Sequence, residues 1–312
     1  MLKLTFLGTS SSRPTVRRGV SSLAVQREGD LHLFDCGEGT QRQMMRFGVG
    51  LGVRGIFLTH LHADHYLGLP GLLRTLCLQD RTEELVVYCP AGREADVQAI
   101  VLIGGERLTF PLRIEGLEAG AGVSFDGYEV RAVRTEHTAP SLGYALIEPD
   151  RLGRFDVERA RAAGVPEGPL FGRLHRGEDV ELPDGRTVRA HDLVGPARPG
   201  RTLVYTGDTR PCAAVRAAAL GANLLVHEAT FTDEEGERAR ETRHSTAREA
   251  GEVAAQAGAL RLALTHFSAR YSELPNRLAG EARKAFRGEV IAAEDGLEIE
   301  LPLLDEPVED GS

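Results

Sequence analysis

The apolar positions of the first 60 residues fall in short runs with strand character. Leu2 to Leu7, Ser21 to Val25 and Leu31 to Phe34 are rich in aliphatic or aromatic side chains, and Gly, Ser and Asp break the chain between them. Residues 38 to 47, EGTQRQMMRF, predict a helix that Gly48 ends. Ile56-Phe57-Leu58 reads as the end of a buried strand. Helices are predicted at Pro70 to Leu78 and Ala91 to Ile103, with strands at Leu85 to Tyr88, near 112 to 117 and near 128 to 134. After residue 201 the pattern is regular again. It predicts strands at Thr202 to Tyr205, 223 to 227 and 260 to 264, and helices at 213 to 219, 245 to 257 and 277 to 286. Strands alternating with helices predict a layered α/β fold.

Residues 150 to 201 interrupt that rhythm. Gly and Pro recur through them, at Pro166, Gly168, Pro169, Gly172, Pro183, Gly185, Gly195, Pro196, Pro199 and Gly200. Asp184-Gly185, between two β-prone pieces, predicts a hairpin turn. Ten Arg stand against nine acidic residues, so the segment is slightly basic in a chain of net charge -9. Its composition is mixed, which predicts an inserted arm within one domain spanning residues 1 to 312, not a disordered linker.

The net charge of -9 excludes a protein that coats nucleic acid by bulk charge, while local basic patches stay open. Cys36, Cys77, Cys89 and Cys212 match neither a disulfide framework nor a zinc ribbon, so reduced thiols are expected. The first residues enter a strand pattern without the charged start and longer apolar core of a signal peptide. No apolar run approaches the roughly 20 residues needed to cross a bilayer. The expectation is a cytoplasmic protein with no membrane contact.

Candidate chemistry concentrates at His60-Leu61-His62-Ala63-Asp64-His65, where four groups able to bind metal sit within six residues. Zinc takes imidazole nitrogen and carboxylate oxygen, and a structural site closes with about four ligands. One loop nearly fills that number, and more candidates follow. His137 comes after the strand pattern ending at Val133, Asp208 after Leu203 to Tyr205, and His266 after Leu262 to Leu264. Alone, each would be an ordinary loop or cap residue. Sheets hold the loops at their strand ends in place, so four such ends can converge on one site. Ligands in excess of one metal suggest two, and two adjacent divalent ions suggest hydrolysis.

The segment HLHADHYLGLPGLL at 60 to 73 resembles the signature of the metallo-β-lactamase superfamily. The chain is most similar to its RNA-processing branch, ribonuclease Z, the tRNA 3′-endonuclease. The resemblance runs along nearly the whole chain. It includes Leu4-Thr-Phe-Leu-Gly-Thr9, Phe34-Asp-Cys-Gly-Glu-Gly-Thr40, Tyr205-Thr-Gly-Asp-Thr-Arg-Pro211, His227-Glu-Ala-Thr230, His244-Ser-Thr246 and Leu264-Thr-His-Phe-Ser-Ala-Arg-Tyr271. The HxHxDH loop indicates the superfamily; the HEAT and HST pieces, with the arm, point to the branch.

The resemblance implies a four-layer αββα sandwich with an inserted, protruding arm, and two divalent ions per subunit, zinc or alternatively manganese. His60, His62, His137 and Asp208 would hold one ion; Asp64, His65, Asp208 and His266 would hold the other. Asp64 is the implied acceptor of the water proton. His244 would donate to, or stabilise, the leaving 3′ oxygen, steered by Glu228, with His227 supporting the site. The implied substrate is a tRNA precursor and not DNA. Residues 150 to 201 would grip its elbow, with Arg173, Arg176 and Arg18 as substrate contacts. The family is commonly a homodimer in which one subunit's arm presents tRNA to the other's site. His32, His175 and His191 fit no partner pattern and read as packing or surface residues.

At Arg13 to Ser22 the chain departs from the family's PxKxRN loop. Val16 stands in the Lys place and Gly19 in the Asn place, while Pro14 and Arg18 remain. That loop is associated with reading the 3′ end, so the departure bears on the cleavage position and on CCA handling. Two other readings stay open: a thioesterase or small phosphodiesterase on the same fold, and a non-catalytic RNA-binding subunit.

Overall fold

Alternating burial builds the first strand. In β1 (Leu2–Gly8), Leu2, Leu4 and Phe6 face one apolar layer while Leu7 faces another. The structure, a computed structural model, describes residues 1–103, 107–272 and 274–304. β2 (Ser22–Arg27), β3 (Asp30–Phe34), β4 (Val53–Phe57), β5 (Leu85–Pro90) and β6 (Leu112–Leu117) extend the same sheet. β7 (Gly122–Phe125), β8 (Tyr128–Arg134) and β9 (Leu142–Ile147) begin a second sheet. A two-stranded hairpin follows, β10 (Val180–Glu181) and β11 (Thr187–Val188). β12 (Thr202–Tyr205), β13 (Leu224–Glu228), β14 (Arg261–Thr265) and β15 (Glu289–Ala292) complete the second sheet, and β16 (Glu298–Glu300) returns to the first. The spatial orders are β16-β1-β2-β3-β4-β5-β6 and β15-β14-β13-β12-β9-β8-β7.

The sheets pack face to face through Leu4, Phe6, Phe34 and Phe57 of one and Val130, Tyr144, Leu203 and Val226 of the other. Phe57 stacks on Tyr88 at 4.4 Å and meets Tyr144 edge-on at 5.2 Å. The outer face of the first sheet is covered by the helices Thr40–Arg46, Leu69–Leu78 and Glu94–Val101, through Met44, Leu72, Leu76 and Val97. Ala213–Ala218, Ala247–Gln256 and Pro275–Ala282 cover the second through Val215, Ala250, Val253 and Leu278. This is the expected αββα sandwich.

β3 to β6 are mutually parallel, and so are β12 to β15. β8 runs the same way as β12 because each is antiparallel to β9 between them. The segments after β4, β8, β12 and β14 carry the seven expected ligands, and Leu142 N, donating to Thr59 O at 2.9 Å, ties the two sheets together there.

The described residues divide into two compact units: Met1–Ile147 with Thr202–Pro302, and Glu148–Arg201 with Leu303 and Leu304. The second unit has its own small core of Val165, Leu174, Val180, Leu182 and Leu193. Its hairpin pairs Val180 with Val188 around the Asp184-Gly185 turn, where Gly185 has φ +82°. Glu148 and Arg201 form a buried two-pronged ion pair at 2.6 and 2.8 Å. The pattern did not predict the helices Val157–Ala162 and Pro169–His175 here, nor β7, β9, β15, β16 and the helix Gly236–Glu241 elsewhere. β9 is buried on both faces for most of its length, so it lacks the period of two that marks a half-exposed strand. Among the described residues, no helix is long and apolar enough to cross a membrane.

Candidate metal centre

β4 ends at Phe57, and the next turn delivers His60 and His62. His62 then stands before the short helix Ala63–Tyr66, which carries Asp64 and His65. Gly37 and Gly68 let this turn close on the loop after β3: a Cβ at Gly37 would lie 2.4 Å from Asp64 O, and one at Gly68 would lie 2.0 Å from Gly37 O. Gly207, with φ +59°, admits the Thr59 side chain, which an added Cβ would meet at 2.7 Å.

The seven expected ligands come together, and the described residues form three groups of possible metal donors, one of them Asp208, His244 and His266. His60, His62, His137 and Asp208 offer donor atoms within 4.8 Å of one another, and so do Asp64, His65 and His266. Asp208 joins them: its Oδ2 lies 3.6 Å from His60 Nε2, 3.4 Å from His65 Nε2 and 3.8 Å from His137 Nε2, and its Oδ1 lies 3.2 Å from His266 Nε2.

Hydrogen bonds on the far side of four rings turn the remaining nitrogen inward. His65 Nδ1 donates to Asp35 Oδ2 at 2.8 Å. His60 Nδ1 donates to Thr59 Oγ1 at 3.0 Å, and Thr59 Oγ1 donates on to Asp35. His137 Nδ1 donates to Arg243 O at 3.0 Å. His266 Nδ1 donates to Thr230 Oγ1 at 2.9 Å, which donates to Glu228 Oε2 at 2.6 Å. Such acceptors fix the tautomer and aim each Nε2 at the cluster; at His65 the Asp208, Asp35 and Asp64 carboxylates outweigh burial and raise the pKa well above its ordinary value, so that ring gives up a proton to bind metal.

These residues fit divalent cations. His62 Nδ1 lies 2.9 Å from His60 Nε2 and 3.1 Å from His137 Nε2, so inward lone pairs face one another. Asp208 Oδ1 is buried without a hydrogen-bond partner. Burial, reinforced by the His65 charge, holds His60 well below its ordinary pKa, in the neutral form a metal needs. Burial would raise Asp64, but His65 and His266 outweigh it and hold the carboxyl well below the usual range. Ser12 N also donates to Asp64 Oδ2 at 2.6 Å. Among the described residues six non-glycine residues have positive φ, and four of them, Ser12, Asp35, Arg243 and His266, touch this cluster. Backbone held in this region persists only where its surroundings over-determine it.

His244 stands beside the cluster. Its Nδ1 donates to Glu228 Oε1 at 2.8 Å and lies 3.9 Å from Asp208 Oδ2. Burial lowers its pKa, but the Glu228 carboxylate outweighs burial and raises it to about 9. Glu228 is itself held by Thr209 N at 2.9 Å. Arg210 pairs with Glu249 and donates to His244 O at 2.6 Å, which anchors the His244 backbone. His227 is fully buried on the adjoining strand, its Nδ1 donating to Glu228 O at 2.7 Å.

The expected substrate contacts are dispersed. Arg18 is only 4% exposed; its Nη1 donates to Thr9 Oγ1 and Ala293 O, both at 2.7 Å, and it holds its loop from inside. That loop borders a cavity of about 290 Å³ whose rim carries the exposed Arg17, Arg42 and Arg46, with Val16 fully exposed. Arg173 and Arg176 are exposed in the second unit, and both pair with Glu178. Of the remaining histidines, His32 is buried against Phe57 and Tyr128, His175 donates to Gly153 O, and His191 is exposed. The sequence reading gave no role to Asp35, Thr59, Thr230 or Arg243. Only Asp35 carried a signal, as a carboxylate directly after an apolar strand.

A family model described as Anti-Pycsar protein Apyc1 matches residues 2–152, just under half of the chain. The chain is 54% identical over 305 residues to Ribonuclease Z of Myxococcus xanthus, covering 98% of this chain and 99% of that protein. It is 53% identical to Ribonuclease Z of Haloferax volcanii, covering 97% and 96%. The crystal structure of the short form of human tRNase Z superposes with a TM-score of 0.67 at 27% identity, covering 96% of this chain and 100% of that one. With about half its residues shared over nearly its whole length with such relatives, the chain belongs to the ribonuclease Z family.

Proposed function

We propose that the chain is a metal-dependent endoribonuclease that removes the 3′ trailer from tRNA precursors by phosphodiester hydrolysis. The observation that carries this reading is the His244–Glu228 pair beside the two ligand sets, in a chain so similar to Ribonuclease Z proteins. His60, His62, His137 and Asp208 would hold one divalent ion, and Asp64, His65, His266 and Asp208 a second. Nitrogen and oxygen donors suit zinc, and manganese as well. Ions held there supply Lewis acidity, lowering the pKa of water towards neutrality and offsetting charge that develops on phosphate.

The chain's own groups do the rest. Asp64 stays ionised and accepts a hydrogen bond from the attacking water, taking its proton as the phosphorus is attacked. His244, protonated at neutral pH and fixed by Glu228 at Nδ1, gives its Nε2 proton to the leaving 3′ oxygen. An alkoxide needs that proton far more than a thiolate does, so the pair favours the phosphodiester over the thioester reading. The slightly basic 150–201 segment grips the tRNA elbow, with Arg173 and Arg176 offered to phosphates. We assign a homodimeric assembly and, from its four unpaired thiols, a reducing cytoplasmic setting.

The test is incubation with a tRNA precursor carrying a 3′ trailer, with and without chelator, and mapping of the product ends. One metal-dependent cut near the discriminator base or after CCA supports the reading and settles what Val16 and Gly19 do to the cleavage position. Zinc- or manganese-loaded protein that leaves the precursor whole yet hydrolyses a thioester refutes it.

A further inference from the structure

Arg243 sits between two site histidines. Its carbonyl accepts from His137 Nδ1 at 3.0 Å, and the next residue is His244. To aim that carbonyl its backbone adopts φ +55°, a conformation that side chains bearing a Cβ rarely adopt. Glycine would meet the backbone requirement without strain, so what the arginine adds here is its side chain.

That side chain is exposed, and its Nη1 donates to His137 O at 3.3 Å. The guanidinium is therefore anchored to the peptide of a ligand histidine whose ring lies 4.9 Å from the His244 ring. Nearby arginines are neutralised: Arg210 by Glu249, Arg248 by Asp233 and Arg270 by Glu235. Arg243 pairs with no carboxylate among the described residues, which leaves a cation with free donors beside the cluster. A planar guanidinium in that setting matches a phosphate oxygen.

Resting on the function proposed above, we infer that Arg243 has two separable parts. Its carbonyl positions His137, and its guanidinium binds a backbone phosphate of the RNA on the His244 side of the scissile bond. This makes it a substrate-binding residue as well as a positioning one.

The experiment compares the full-length protein with Arg243→Gly, Arg243→Lys and Arg243→Val. Precursor RNA binding is measured on chelator-treated protein across a salt series, alongside metal content and steady-state kinetics. Arg243→Gly keeps the carbonyl geometry; it should hold the parent's metal content while RNA affinity falls roughly tenfold, as for a lost charge-assisted hydrogen bond. Its salt dependence should become shallower by about one phosphate contact. KM for the precursor should rise more than kcat falls. Arg243→Lys should restore the salt dependence but only part of the affinity. Arg243→Val, whose branched Cβ resists positive φ, should also lose metal. Parental RNA affinity and salt dependence in Arg243→Gly overturn the phosphate contact, and undiminished metal in Arg243→Val overturns the positioning part. A parent protein that neither binds nor cuts the precursor overturns the proposed function and this inference with it.

Discussion

Replacing Glu228 with Gln removes one charge and little volume, and it tests the proton donor directly. Glu228 is 1% exposed and accepts from His244 Nδ1 at 2.8 Å. Burial pulls His244 below its ordinary value of 6.5, and the carboxylate more than reverses this, to about 9. At 1.36 kcal/mol per unit, the difference between 6.5 and 9 corresponds to about 3 kcal/mol of preference for the protonated ring. With Gln in place burial is opposed by the Asp208 charge alone, so the pKa falls back to its ordinary value or below. At about pH 7.5 the donor then changes from almost wholly protonated to a tenth or less, and single-turnover cleavage of precursor RNA should fall at least roughly tenfold. The alkaline limb of the pH–rate profile should move from about 9 to below 7. Bis(p-nitrophenyl) phosphate, whose leaving group needs no proton, should lose far less. The sign for stability agrees. A histidine whose folded pKa is raised stabilises fully below its unfolded value of 6.5, and the contribution is lost as pH rises through about 9. The thermal midpoint of metal-stripped protein should therefore fall across that window, and fall less in Glu228→Gln. An alkaline limb that stays in place, or equal losses on both substrates, would refute the assignment of His244 as the acid.

Three further outcomes follow from the same geometry. Asp208→Ala removes the carboxylate that lies within 4 Å of His60, His65, His137 and His266 and should abolish bound metal and activity together; strong nuclease activity at undetectable metal content contradicts the proposed centre. Asp35→Asn weakens the acceptor that holds His65 and, through Thr59, His60; metal affinity should fall roughly 10- to 100-fold by titration with a chelating indicator, and unchanged affinity would show that these rings need no such anchor. Arg173→Ala with Arg176→Ala should leave the thermal midpoint almost unchanged, because both cations are exposed and share Glu178. The pair should weaken precursor cutting while sparing the small diester, and equal effects on both substrates would dismiss the role of the second unit in RNA binding.

What could be read from the sequence was whatever a local pattern encodes. The HxHxDH loop is contiguous, so its chemistry shows in six letters, and His137, Asp208 and His266 each follow a strand that periodicity identifies. A layered α/β fold followed from the alternation of elements and its αββα form from the family resemblance, while β9 and β16 escaped because one is buried on both faces and the other has three residues. The groups that aim the ligands were hidden for a different reason. Asp35, Thr230 and the Arg243 carbonyl stand 30, 36 and 106 residues from the rings they hold, and Thr59, although next to His60, is itself held by Asp35 from 24 residues away. Nothing in a hydroxyl or a peptide oxygen marks it as an acceptor until the fold brings a ring to it. Arg18 shows the opposite error: an arginine in a site loop suggests a substrate contact, yet burial directs its donors to Thr9 and Ala293. Arg243, embedded in a polar run, has an exposed guanidinium close to the reacting centre. Residue type and loop membership were the same for the two arginines. What separates them is where their donors end, and that depends on the return of β14 and the segment after β15 to the loops of the first sheet. The candidate ligands are therefore a property of short segments, whereas their orientation is a property of the closed sandwich. Substitutions such as Asp35→Asn should accordingly change metal affinity while leaving the ligand set intact.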